Sequence, residues 1–194
     1  GSDYTITNFD NSGTWKLGTS GANLNGTITT LTNTGTISGT LVNSGTITTF
    51  NNDGVVAYQS TLPVNYNIIT NSTSDFGKLN VTSGSGSTTF GVHSSSSVSN
   101  NTLYENVVTG LAVSNISNTS GTYGGFSWVL RNTSGTNWDL IFGNPAPSSA
   151  RTLTSISAMR DGISSYFSSF ALTTNYANMN SYDCGLFDQD GICF

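Results

Sequence analysis

Catalysis needs titratable or nucleophilic side chains held close together, and this sequence carries few. It has one histidine, His93, and one glutamate, Glu105. His93 sits in Gly91-Val-His93-Ser-Ser-Ser-Ser. Serine is abundant enough for a Ser-His-Asp relay to be conceivable, but nothing in the sequence orients the ring, and there is no Gly-x-Ser-x-Gly elbow. A glycosidase carboxylate pair would have to be assembled from scattered aspartates. Asp188-x-Asp190-Gly191 opens as a calcium loop does but lacks the later bidentate Glu, so a plain turn is the simpler reading. Cys184 and Cys193, the two cysteines, have no histidine neighbour with which to hold zinc. In an exported protein such a pair forms one local disulfide. These residues predict no catalytic site, no metal and no cofactor, and a protein that is not an enzyme.

Composition narrows the remaining classes. Charged residues are 8% of the 194 residues and the net charge is −5, against about 25% charged in ordinary globular domains. Disordered chains combine high net charge with few aromatics; aromatics here are 11%, which predicts a folded chain with a Ser/Thr/Asn exterior. The five cations, Lys16, Lys78, Arg131, Arg151 and Arg160, do not cluster, so no nucleic-acid partner is expected. No apolar run approaches the roughly 20 residues of a membrane helix. The Gly1-Ser2 start has the look of a cloning scar, and a fragment of a longer precursor is expected.

The elements that position these side chains are announced by a repeat. Leu31-x-Asn33-x-Gly35-x-Ile37, Leu41-x-Asn43-x-Gly45-x-Ile47 and Phe50-x-Asn52-x-Gly54-x-Val56 are one pattern at a spacing of nine to ten residues. Phe9-x-Asn11-x-Gly13-x-Trp15 is a fourth copy; Ala22-x-Leu24-x-Gly26-x-Ile28 keeps all but the Asn. Alternation of the key positions with Thr and Ser is the period of a strand, and Asn-x-Gly supplies the turns. A short fixed period means stacking. Two units would make a coil of roughly twenty residues. Residues 3–63 are therefore expected to form a parallel β-solenoid, right-handed because parallel crossovers nearly always are, with Asn33, Asn43 and Asn52 as an internal hydrogen-bonded ladder. An antiparallel meander would use the same turns but would not require copies that match position by position. The outward pairs Thr27/Thr29 and Thr46/Thr48 suit an ice-binding array, which Ser38 and Ala57 already break; Thr is a good exposed strand residue in any case.

Residues 64–143 hold longer strand candidates: 64–70, 78–82, 88–92, 104–113, 125–131 and 137–142. The loop Asn132-Thr-Ser-Gly-Thr136 joins the last two as a hairpin. Phe76, Leu79, Trp128, Trp138 and Phe142 are its expected core, since aromatics bury the most apolar area per residue. Such a segment reads as a β cap that closes the open end of the stack. Residues 144–194 begin with the breaker Asn144-Pro-Ala-Pro147 and continue as a helix over about 149–173. Leu153, Ile156, Ile163, Phe167 and Phe170 fall on one helical face, interrupted by Arg160. A Cys-bracketed turn ends the chain.

This order of elements resembles the C-terminal passenger region of Gram-negative autotransporters (type V secretion). Asp75-Phe-Gly77-Lys-Leu79-Asn-Val81 is similar to the strand that opens the autochaperone segment in that family. Trp138-Asp-Leu140-Ile-Phe142 is similar to the strand that closes it, and the Asp183-Cys184 to Cys193 stretch to the lead-in to the first barrel strand. The resemblance implies a cell-surface module, tethered to the outer membrane in the precursor, that caps the β-helix and aids folding during translocation. Its implied partners are its own C-terminal β-barrel and the assembly machinery. Adhesion to host or neighbouring cells, or self-association through the helix, is the alternative. A β-helical carbohydrate-active enzyme has least support, because acids do not cluster.

Overall fold

The computed structural model describes residues 4–18, 21–143 and 149–181, apart from the side chains of Ala22 and of the helix outside 156–175. The chain divides into two units, Gly1–Ala146 and Pro147–Phe194. The first is a β-solenoid of about four turns that ends in a mixed sheet. β1 (Thr5–Asn11), β2 (Thr14–Lys16) and β3 (Ala22–Leu24) form one coil. β4 (Thr27–Asn33), β5 (Thr36–Ser38) and β6 (Thr40–Asn43) form the next. β7 (Thr46–Asn52) and β8 (Val55–Thr61) follow, then β9 (Asn65–Ile68) and β10 (Lys78–Ser85), then β11 (Thr89–Val92) and β12 (Thr102–Thr109). One sheet has the order β1-β4-β7-β9-β11 and a short second one is β2-β5. In both, every pairing is parallel.

Register shows why the repeat works. Ile6, Ile28 and Ile47 pair in sequence, as do Asn11, Asn33 and Asn52. Phe9, Leu31, Phe50, Tyr66 and Phe90 form one apolar column through the whole first sheet. β6 and the later half of β4 bury alternate side chains, as the period of two requires. At the corners, Thr34 and Gly35 both donate backbone N–H to the Asn11 carbonyl, at 2.9 and 3.0 Å. Gly35 permits this close stacking: a Cβ there would strike the carbonyl oxygen of Gly13 one coil earlier. A coil thus consumes two sequence units, as the spacing predicts, and alternate units fall on different sheets.

The parallel stack continues past residue 63. β9 pairs parallel with β7 and β10 with β8, so the expected start of the cap at 64 is not where the pairing changes. It changes after β12. β13 (Ser120–Tyr123), β14 (Phe126–Asn132) and β15 (Trp138–Phe142) are antiparallel and extend the second large sheet, whose order is β13-β14-β15-β12-β10-β8-β6-β3. The hairpin expected across Asn132–Thr136 is β14-β15. β13 lies in a stretch whose Ser/Gly/Asn composition reads as loop; it acquires strand geometry by pairing with β14.

The second unit contains α1 (Ser149–Ser181), eight residues longer than the periodicity predicts. Ser and Thr continue it at modest propensity cost, and Thr173 and Thr174 turn their hydroxyls back to the carbonyls of Ser169 and Phe170, each at 2.9 Å. Ile156, Ile163, Phe167 and Phe170 are exposed, at 51–63%. The side chain of Leu153 lies outside the described residues, as do Cys184, Cys193 and the expected disulfide. No helix is long and apolar enough among the described residues to cross a membrane.

Candidate functional site: the asparagine ladder and the closing strands

Among the described residues, those with catalytic potential do not converge. The Nδ1 of His93 lies 2.8 Å from the hydroxyl of Ser95 and accepts the backbone N–H of the same residue at 3.3 Å, a contact within its own turn. Glu105 is exposed on β12. Among the described residues, no three His, Cys, Asp or Glu side chains gather where a metal ion would sit; Asp188 and Asp190 lie outside them.

What the fold does assemble is a line of buried amides. Asn33 and Asn52 are fully buried. The Nδ2 of Asn11 donates to Oδ1 of Asn33 at 2.7 Å, and Nδ2 of Asn33 donates to Oδ1 of Asn52 at 2.8 Å. The line ends at Asn52, whose Nδ2 donates to the carbonyl of Gly54 at 2.6 Å, the hydroxyl of Tyr66 at 3.2 Å and the carbonyl of Lys78 at 3.3 Å. A buried amide is tolerated only when so paired. Asn43 is also fully buried but belongs to the other sheet, paired with Leu24 and Ser60. Its Nδ2 donates to the Thr61 carbonyl at 2.8 Å and its Oδ1 accepts from the Gly45 N–H at 3.2 Å. The three asparagines therefore do not make one ladder: Asn33 and Asn52 stack with Asn11, and Asn43 caps a corner elsewhere. Gly45 sits over Gly26 as Gly54 sits over Gly35, and Ile37 pairs with Trp15 where Ile47 pairs with Ile28.

The closing strands are the second assembly. Trp138, on β15, is buried and donates its indole N–H to the Leu111 carbonyl at 2.7 Å. It completes the column Val56, Leu79, Val108, Trp138 in the second sheet. Trp128 meets Phe90 edge-on at 5.6 Å, so the Phe9-to-Phe90 column terminates on β14. Phe76, Tyr104 and Phe142 form a third chain of edge contacts at 5.2 and 6.1 Å, and Lys78 lies over the Phe76 ring at 4.7 Å. Phe76 and Leu79 thus stand with the parallel stack, and Trp128, Trp138 and Phe142 with the antiparallel closure; the aromatic contacts join the two.

Two residues that the sequence reading passed over hold this closure. Asp139 has a fully buried side chain, accepts the Asn106 N–H at 2.9 Å and lies 3.5 Å from Arg131. Asn106 has φ of +54° and sits where β12 slips register between Tyr104 and Val108, so the carboxylate anchors a bulge. Asn118 reaches the edge of β11: it accepts the Phe90 N–H at 2.7 Å and donates to the Phe90 carbonyl at 2.9 Å, as a neighbouring strand would. Asn118 opens Asn118-Thr-Ser-Gly-Thr122, a second copy of the sequence at 132–136, but its partner lies 28 residues away, where no local pattern points.

Burial sets the electrostatics. Desolvation pushes the Tyr66 hydroxyl far above its usual range, with the Asn52 amide pulling slightly the other way. Tyr58 behaves alike beside Asn43, and Tyr104 is raised by burial too. These phenols are structural donors and acceptors held neutral, not bases poised near neutrality.

Comparison with protein-family models, with curated proteins and with solved structures finds no match. The class that the fold defines is a β-solenoid closed by a mixed sheet and followed by a helix. The autotransporter likeness rests on the order of elements and on the three short stretches quoted above.

Proposed function

We propose that this chain is a non-catalytic structural and secretion module of a cell-surface autotransporter passenger. In this reading the coils are the end of a right-handed β-helix, and the antiparallel strands are an autochaperone-like cap. The helix leads towards an outer-membrane barrel, and Cys184 and Cys193 close a local disulfide beyond it. The observation that carries the reading is the switch from parallel to antiparallel pairing after β12, completed by β15, all five of whose residues are buried. A parallel stack left open is a template for further strands and for aggregation. A closed end offers the preceding coils a formed edge on which to add, which suits a chain that folds as it emerges at the surface. The test is deletion of 64–143 from the full precursor, with surface display and protease resistance measured. Loss of both is expected; unchanged display and resistance would remove the proposal. Partners in this reading are the barrel and its assembly machinery.

A second reading, adhesion or self-association, is favoured by the helix. Ile156, Met159, Ile163, Tyr166, Phe167 and Phe170 are all exposed and lie within about 100° of arc at 3.6 residues per turn. If the stripe pairs copies of the chain, sedimentation shows a concentration-dependent dimer that Phe167→Lys abolishes. A chain that stays monomeric throughout, and binds neither cells nor glycans, rules this reading out.

A further inference from the structure

The opposite end of the stack carries a surface whose recognition features the reading above leaves unspecified. β1, β2 and β3 are each the outermost strand of a sheet, so each has a side on which no described strand pairs with its backbone N–H and C=O groups. Ile6, Phe9 and Trp15 are only half-buried, whereas Ile28, Leu31 and Ile37, which pair with them, are buried. Two details say what the surface fits. The first is the polarity of the amide line. Asn11 uses its Nδ2 on Asn33 Oδ1 and on the Thr36 carbonyl, and among the described residues nothing donates to its Oδ1. In every later step that oxygen receives the N–H of the asparagine one coil earlier. The second is Gly13. A Cβ on Gly35, Gly45 or Gly77 would run into a backbone carbonyl of the preceding coil: Gly13, Gly26 and Asn52 respectively. A Cβ on Gly13 would meet nothing within 4 Å among the described residues, and Gly13 has no positive φ to call for glycine. The sequence keeps the glycine of the pattern at the one coil where, among the described residues, no backbone lies over it.

The far end has no equivalent seat, because Asn118 occupies the edge of β11 and β15 that of β12. The outermost strand there is the antiparallel β13, which offers no asparagine and glycine of the coil pattern, so a second copy does not present the matching face. We infer that the face of the first coil is a docking surface for one more β-coil of the same pattern, parallel and in register. That coil would place an asparagine over Asn11 and a bare backbone carbonyl over Gly13. The inference rests on the reading of these coils as the end of a longer β-helix and specifies what the adjoining coil presents; the deletion of 64–143 does not bear on it, so the two can fail separately.

The test compares the full chain with one in which a copy of residues 27–45 replaces residues 1–4, each with and without Gly13→Ala. Coil interfaces add to stability nearly one by one, so the extension should raise the thermal midpoint by several degrees and slow amide exchange throughout Thr5–Asn11. Gly13→Ala should leave the original chain unchanged and erase the gain in the extended one. A copy carrying Asn33→Leu, which still offers a bare carbonyl over Gly13, should retain only part of the gain. An added segment that exchanges at the free-chain rate, or a gain that Gly13→Ala does not touch, overturns the inference. So does a dimer of the original chain that Gly13→Ala dissolves, since the occupant would then be a second copy.

Discussion

Asn33 holds two coils at once, because its amide both accepts and donates along the stack. Asn33→Leu takes one of two donors from the buried Asn52 oxygen, which keeps the Gly54 N–H at 3.2 Å, and one of two acceptors from the Asn11 amide, which keeps the Thr36 carbonyl. The loss of two buried hydrogen bonds, at about 0.5–1.5 kcal/mol each, predicts a cost of about 1–3 kcal/mol, read as a fall in the urea midpoint at constant slope. Gly35→Ala should cost about as much, since backbone rather than a flexible side chain must move. The buried tyrosines add a pH dependence. In the unfolded chain a phenol ionises near 10; in the fold, desolvation raises Tyr58, Tyr66 and Tyr104 above that value. Above pH 10 the folded state therefore binds more protons than the unfolded state, and stability, complete below that pH, falls as pH rises. Alkaline unfolding should accompany tyrosinate absorbance, and Tyr58→Phe should flatten the decline.

At the scale of the element, β15 closes the stack by putting different chemistry on adjacent residues. Trp138 completes an apolar column and Asp139 pins the β12 bulge through the Asn106 N–H. Trp138→Ala should cost about 3–5 kcal/mol, as aromatic truncation in a core does. Asn118→Ala acts differently. It removes two hydrogen bonds from an edge while leaving the core intact, so global stability should change little. Exchange of the Phe90 amide should quicken, and aggregation through the freed β11 edge should rise, measured by hydrogen exchange and light scattering. The helix belongs to the other unit. It is rich in Ser and Thr and has one apolar stripe, so whatever buries that stripe must supply most of its stability.

For the whole solenoid the expectation is a gradient. Each coil contacts its neighbours in the stack, so protection should be greatest in β4, β7 and β8, where coils lie on both sides, and least in β1–β3, which have one. Hydrogen exchange resolved by strand would measure this. A single uniform rate across β1, β4 and β7 would instead indicate that the closed end commits the entire stack to one cooperative unit.

The sequence by itself determined the parallel stacking, the two-unit coil and the Asn-Gly corners. These depend on properties repeated at short spacing: side-chain size, alternation, and asparagine two residues before glycine. It also marked Trp128, Trp138 and Phe142 as buried, because large aromatics in an alternating strand have few alternatives. Only the tertiary structure decided that Asn43 leaves the ladder of Asn33 and Asn52, because consecutive units turn onto different sheets. The same holds for the end of parallel pairing after β12 rather than at residue 63, for the strand character of Ser120–Tyr123, and for the roles of Asp139 and Asn118. In each of these the partner lies far along the chain or in a different sheet. Strand pairing and amide satisfaction are settled by which backbone comes alongside in the folded chain, which no local spacing contains.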